Sequence, residues 1–122
     1  MARILVIDDD ATVRLSVKLA LEDADHAVQV AADGREGTAL FRNSPADLVI
    51  SDIFMPEKEG LETIDEIKRM RPQTKIIAIS GGGRMDPDDY LKIAKSVGAD
   101  RSLSKPFDIQ QLVDVVDALL NQ

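Results

Sequence analysis

Cysteine is absent from this chain of 122 residues, and so is tryptophan. Without cysteine there is no disulfide framework and no thiolate metal site. Histidine occurs once, at His26, and only 3% of the residues are aromatic. Long hydrophobic runs are missing too. The stretch ARILVI at 2–7 is typical, far below the ~20 residues that a membrane-spanning helix needs. That same stretch meets three aspartates at once, which leaves no room for a signal-length apolar region. A soluble, cytoplasmic protein without membrane association is the expectation. Positive charge is in deficit: 15 Lys and Arg face 22 Asp and Glu, for a net charge of −7. A phosphate backbone would be repelled, so direct nucleic-acid binding is not expected.

What the chain does contain is an alternation of strand and helix signals. Short runs rich in Ile, Val, Leu and Ala at 2–7, 27–31, 47–51, 74–79 and 101–103 read as strands. Their apolar residues are continuous rather than alternating, as expected for strands covered on both faces. Helical patterns lie between them. Val13, Val17, Ala20 and Leu21 mark a helix over 11–23, and Leu61, Ile64, Ile67 and Met70 form a stripe over 60–70. Ile109, Leu112, Val113, Val116, Leu119 and Leu120 form an amphipathic face over 108–120. A further helix is expected over 86–97, with Asp86 as cap and Pro87 in its first turn. Asp10 or Thr12 can cap the first helix, Asp108 can cap the last, and Pro72 follows the third. Segment 34–43 is the weakest helix, because Gly34 and Gly37 each lower propensity by about 1 kcal/mol relative to Ala. Five βα units predict one domain over 1–122, a parallel sheet wrapped by helices with right-handed crossovers.

Four of these strands run into residues that carry chemistry. The first meets Asp8, Asp9 and Asp10, the third meets Asp52, the fourth Ser80, and the fifth Ser104-Lys105-Pro106. In parallel strands these ends gather at one edge, where open α/β sheets bind ligands. Mg²⁺ prefers hard oxygen ligands and takes one or two carboxylates plus phosphate oxygens, a demand that Asp9 with Asp52 meets. A carboxylate is also a usable nucleophile toward phosphorus. Attack on an anionic phosphoryl donor needs its charge offset. Ser80 offers a hydroxyl and Lys105 a compact ammonium for that purpose. Read alone, the acidic triplet could simply cap the first helix, and Lys105 could be a surface lysine. The Lys105-Pro106 bond can be cis or part of an ordinary turn.

The pieces ILVIDDD (4–10), LVISDIFMPEKEG (48–60), IIAIS (76–80) and SLSKPF (102–107), in this order, resemble the receiver domain of two-component response regulators. The resemblance covers essentially the whole chain. It implies a flavodoxin-like, doubly wound (βα)5 fold with five parallel strands in the order 2-1-3-4-5. It further implies that Asp52 accepts a phosphoryl group and that Asp8 and Asp9 form the acidic pair, Asp9 as the more direct Mg²⁺ ligand. Asp52 and the backbone carbonyl of Phe54 would complete the metal ligands. Ser80 matches the family's switch hydroxyl and Lys105 its lysine. Such a domain is a phosphoacceptor in a phosphorelay rather than an enzyme, though one that assists its own phosphorylation and dephosphorylation. The implied donor is a phosphohistidine on a histidine kinase or a histidine phosphotransfer protein. The face over 86–120, with Ser80, Tyr90, Ser102 and Pro106, would meet a downstream effector or a second copy of the chain.

Departures from the family pattern set further expectations. Ser102 stands three residues before the lysine, where the family often has an aromatic switch residue. Tyr90 and Phe107 are the nearby aromatics, and both are expected to do ordinary packing. The glycines at 81–83 lengthen the connection after Ser80 and read as a switch loop, since no P-loop lysine and hydroxyl follow them. Phe54, two residues after Asp52, cannot orient an attacking water, so slow loss of phosphate is expected. His26 precedes the second strand and is expected to face solvent. Two other functions fit the scaffold less well. One is an interaction module independent of phosphorylation. The other is a phosphohydrolase of the haloacid dehalogenase class, which would want an acid where Phe54 stands.

Overall fold

A computed structural model describes residues 2–53, 60–80 and 87–121. The elements alternate as β1 (Arg3–Ile7), α1 (Ala11–Asp23), β2 (Ala27–Ala31), α2 (Gly34–Asn43) and β3 (Leu48–Asp52). They continue as α3 (Gly60–Met70), β4 (Lys75–Ser80), α4 (Pro87–Ser96), β5 (Arg101–Ser104) and α5 (Ile109–Leu120). All strand pairs are parallel, in the order β2-β1-β3-β4-β5. The expected flavodoxin-like winding is therefore present, with strand order reversing between β1 and β3.

Side chains alternate along a strand, so each strand sends one row to each helix layer. Ile4, Val6, Leu48, Ile50, Ile77, Ile79 and Leu103 pack with Val17 and Leu21 of α1 and with Leu112, Val116 and Leu119 of α5. Leu5, Ile7, Val49, Ile76 and Ala78 face the other way, onto Phe41 of α2 and Ile64 and Ile67 of α3. Each such large side chain, fully buried, contributes about 1.5–3 kcal/mol of transfer free energy. The strands are not all enclosed as their continuous apolar runs predict. Burial on both faces holds for β3 and most of β1 and β4, whereas β2 and β5 are edge strands with exposed positions.

Helix ends follow the side chains that can satisfy unpaired N–H groups. Asp10 rather than Thr12 caps α1: its Oδ1 accepts from Thr12 N at 2.9 Å and Val13 N at 3.4 Å. Asp108 caps α5 by accepting from Gln110 N at 2.8 Å. The proposed cap Asp86 lies outside the described residues. Helix α2 forms in spite of its glycines because of packing. A Cβ on Gly37 would strike the Ile7 side chain, whose Cγ1 lies 2.7 Å from that position. The glycine that weakens the helix locally lets it approach β1.

His26 corrects one expectation, because its imidazole does not face solvent. Its side chain is only 10% exposed, Nδ1 accepts from Ala2 N at 3.2 Å, and Nε2 lies 3.8 Å from Asp117 Oδ1 of α5. Asp25 adopts a left-handed conformation with φ 70° after α1, which a short polar side chain tolerates. The chain then doubles back, and His26 N donates to Leu21 O at 3.1 Å.

Candidate functional site

The functional side chains extend the rows that build the α1/α5 side of the core. Val6 is registered with Ile50, and the next residues outward in those rows are Asp8 and Asp52. Asp52 is the last residue of β3 rather than the first beyond it. Ile79 is registered with both Asp52 and Leu103, and Lys105 lies two residues past Leu103. Three segments far apart in sequence thus deliver two acids and an amine to one spot. Lys105 Nζ lies 2.9 Å from Asp8 Oδ2 and 3.0 Å from Asp52 Oδ2.

Asp8 is fully buried and Asp52 is 4% exposed, while Asp9 is exposed at the rim. One oxygen from each of the three carboxylates falls within 4.8 Å of the others. Asp8 Oδ1 accepts from Asp10 N at 2.9 Å, which ties the carboxylate to the turn that starts α1. Asp8 Oδ2 is buried against the Lys105 ammonium at 2.9 Å, and among the described residues it has no other partner. Two nearly buried carboxylates share this one ammonium, and an excess of buried negative charge is costly unless a further cation offsets it. A Mg²⁺ ion, which takes such hard carboxylate oxygens, fits the donor set.

Electrostatics reinforce the pairing. Burial by itself, the largest single effect on Lys105, lowers its pKa. The close contacts with Asp8 and Asp52, and their negative charges, together outweigh it and raise the ammonium above its ordinary value. The lysine is therefore a fixed cation in the resting site.

Not every anticipated residue joins this cluster. Ser80 ends β4, and its hydroxyl pairs with Ser104 Oγ at 3.4 Å. Ser102 is registered with Ala78 on β5 and is half-buried. Pro106 is exposed, and the peptide bond joining it to Lys105 is cis. Phe107 packs partly against the α1/α5 side of the core. Tyr90 falls within α4. Phe54 and the glycines at 81–83 lie outside the described residues. An apolar groove of about 510 Å³ opens beside Lys105, between Val13 and Val17 of α1 and the segment Pro106, Phe107 and Ile109.

Three residues matter that sequence patterns did not single out. Arg14 donates from Nη1 to the Asp8 carbonyl at 2.8 Å, bracing the acidic turn; its place one helical turn after Asp10 was the available signal. Gly60 opens α3 and donates from its N–H to Ile53 O at 2.9 Å. A Cβ there would collide with the Asp52 carbonyl oxygen and lie 2.6 Å from Ile53 Cα, so the helix can close on the acid's own backbone only through glycine. Ser104 is the third, visible in the sequence only as the residue beside Lys105.

The chain is similar to known proteins in sequence and fold. The family model described as "Response regulator receiver domain" matches residues 4–117. The chain is 36% identical over 120 residues to the DNA-binding transcriptional regulator NtrC of Azospirillum brasilense, covering 98% of this chain and 24% of that protein. It is 32% identical over 122 residues to the transcriptional regulatory protein CpxR of Klebsiella pneumoniae, covering 100% of this chain and 50% of the relative. It thus spans about a quarter to a half of the curated relatives it matches. Among solved structures, the chemotaxis protein CheY4 of Vibrio cholerae is similar with a TM-score of 0.87 and 31% identity, covering 98% of each chain. A CheY-like receiver domain protein of Methanospirillum hungatei JF-1 is similar with a TM-score of 0.91 and 30% identity, covering 99% of this chain and 94% of that one. With the acidic edge and winding already in place, these likenesses settle the classification: the chain belongs to the response regulator receiver domain family.

Proposed function

We propose that Asp52 accepts a phosphoryl group from a phosphohistidine on a histidine kinase or a histidine phosphotransfer protein. The supporting observation is the bridge at the sheet edge, where one ammonium touches both Asp8 and Asp52 beside the rim carboxylate of Asp9. A carboxylate oxygen of Asp52 forms the O–P bond while the P–N bond to the donor imidazole breaks. The electron pair stays on the imidazole nitrogen, which takes up a proton. Lys105 shifts its contacts from the carboxylates to a phosphoryl oxygen, as a point charge suited to phosphate. Asp8, Asp9 and Asp52 would hold Mg²⁺, with the Phe54 carbonyl as a further ligand. The ion, when bound, offsets the negative charge that nucleophile and phosphoryl group share.

Phosphorylation adds about −1.5 to −2 charges to this edge. Ser80 donates to the new oxygens, and the resulting rearrangement biases the face over 86–120 for a downstream effector or a second copy of the chain. The relatives named as transcriptional regulators support an output of this kind. We place the domain in the cytoplasm; among the described residues no helix is long and apolar enough to cross a membrane.

Intact mass after incubation with Mg²⁺ and acetyl phosphate tests the proposal. One phosphoryl adduct, absent from Asp52→Asn, is the expected result. No adduct would favour an interaction module independent of phosphorylation, and rapid turnover of varied phosphoesters would favour a hydrolase.

A further inference from the structure

Ser80 and Ser104 are registered partners on β4 and β5, and their hydroxyl oxygens are 3.4 Å apart. Backbone pairing anchors the spot, since Lys105 N donates to Ser80 O at 2.8 Å. Both side chains follow the row of Ala78, so they stand on the α2/α3 side of the sheet, whereas Asp52 and Lys105 extend the rows on the α1/α5 side. To reach a phosphoryl group on Asp52, the Ser80 hydroxyl has to turn away from Ser104 over the strand end. The position that would carry an aromatic relay holds Ser102, which is too small to press on Ser80.

We infer that Ser104 is a positioning residue that holds the Ser80 hydroxyl in its resting orientation, so that phosphoryl binding must break a serine–serine hydrogen bond. The inference rests on the phosphoacceptor reading above and adds to it the group that competes for the switch hydroxyl. A serine hydroxyl has one proton to donate and a rotor free to aim it. With Ser80 as donor to Ser104, its one proton points away from the acid edge and is withheld from a phosphoryl oxygen. The coupling is local, because Ser104 occupies the position before Lys105 and any movement of one is felt by the other. Ser104 is exposed, so water competes for the bond and the latch is weak.

Beryllofluoride with Mg²⁺ mimics the bound phosphoryl group without a covalent step and gives the test by titration calorimetry. Ser104→Ala should bind it about threefold more tightly than the wild type, the modest gain expected from releasing one water-exposed hydrogen bond. Ser104→Thr, which keeps a hydroxyl at the strand position, should restore nearly wild-type affinity. In a Ser80→Ala background, adding Ser104→Ala should change nothing, because no latched hydroxyl remains. Equal affinity of wild type and Ser104→Ala would overturn the inference, as would a gain that persists without Ser80. Failure of the wild type itself to bind beryllofluoride would instead sink the phosphoacceptor reading, and the latch with it.

Discussion

Replacing Lys105 by methionine tests the electrostatic account of the resting site most directly. Methionine keeps much of the apolar stem, which lies beside Pro106 and Phe107, and removes the ammonium. What remains is Asp8, fully buried, and Asp52, 4% exposed, facing one another with Asp9 close by. Removing one partner of a buried ion pair typically costs about 3–5 kcal/mol, because the other charge is left unpaired. The Lys105 side chain is 23% exposed and the rim at Asp9 is open, so solvent screens part of this. After that discount the expected loss is about 2 kcal/mol, or about 6–12 °C in Tm for a domain of this size.

Urea denaturation at pH 7 with a chelator present measures the loss. The same experiment with excess Mg²⁺ should recover most of it, since the ion binds the acids without having to compete with an ammonium. Alkaline pH gives a second handle. The folded-state pKa of Lys105 is raised, so its contribution is complete below the unfolded value of 10.5 and is lost as pH rises through the folded value. The gap between wild type and Lys105→Met should therefore close only in strongly alkaline solution. Equal stability of the two proteins at pH 7 in chelator would refute the reasoning, and so would a deficit that Mg²⁺ leaves untouched.

Gly60→Ala should cost about 2–4 kcal/mol, because the added methyl meets backbone that cannot turn aside; a urea midpoint close to wild type would contradict the close approach. Because Phe54 cannot orient water, Phe54→Asn should shorten the lifetime of the phosphorylated protein in excess Mg²⁺. Decay as slow as in the wild type, followed by intact mass, would count against that role.

Much of the site is legible in the chain because it is written at strand ends. Apolar runs that stop at an acid or a lysine announce both the strand and the chemistry at its tip, so Asp8, Asp52 and Lys105 come together as the (βα)5 pattern implies. The paired hydroxyls of Ser80 and Ser104 are harder to read. Their meeting depends on the register of β4 against β5, and register is a relation between strands rather than a property of either one. His26 misleads for a related reason. Its local surroundings are polar, but a left-handed Asp25 and the packing of α5 decide its burial, and neither shows in the neighbouring residues. The glycines of α2 mislead in the opposite sense: helix propensity counts Gly37 as a weakness, while the Ile7 side chain requires it. The edge positions of β2 and β5 do not show in the sequence, because a short apolar run reads alike at the edge and in the middle of a sheet.

The register of the central strands also sets which genetic changes this domain can survive. Ser51 and Asp52 are adjacent on β3 and point to opposite layers, as do Ile7 and Asp8 at the end of β1. Inserting or deleting a single codon within β3 would exchange the faces of every later side chain, sending the carboxylate into the α2/α3 layer and a neighbour into its place. A change of two codons would preserve the facing but shift the acid about 7 Å along the sheet, out of reach of Lys105. Length variation is therefore barred from the strands and confined to the connections between elements, where descendants of this sequence can diverge without moving the chemistry.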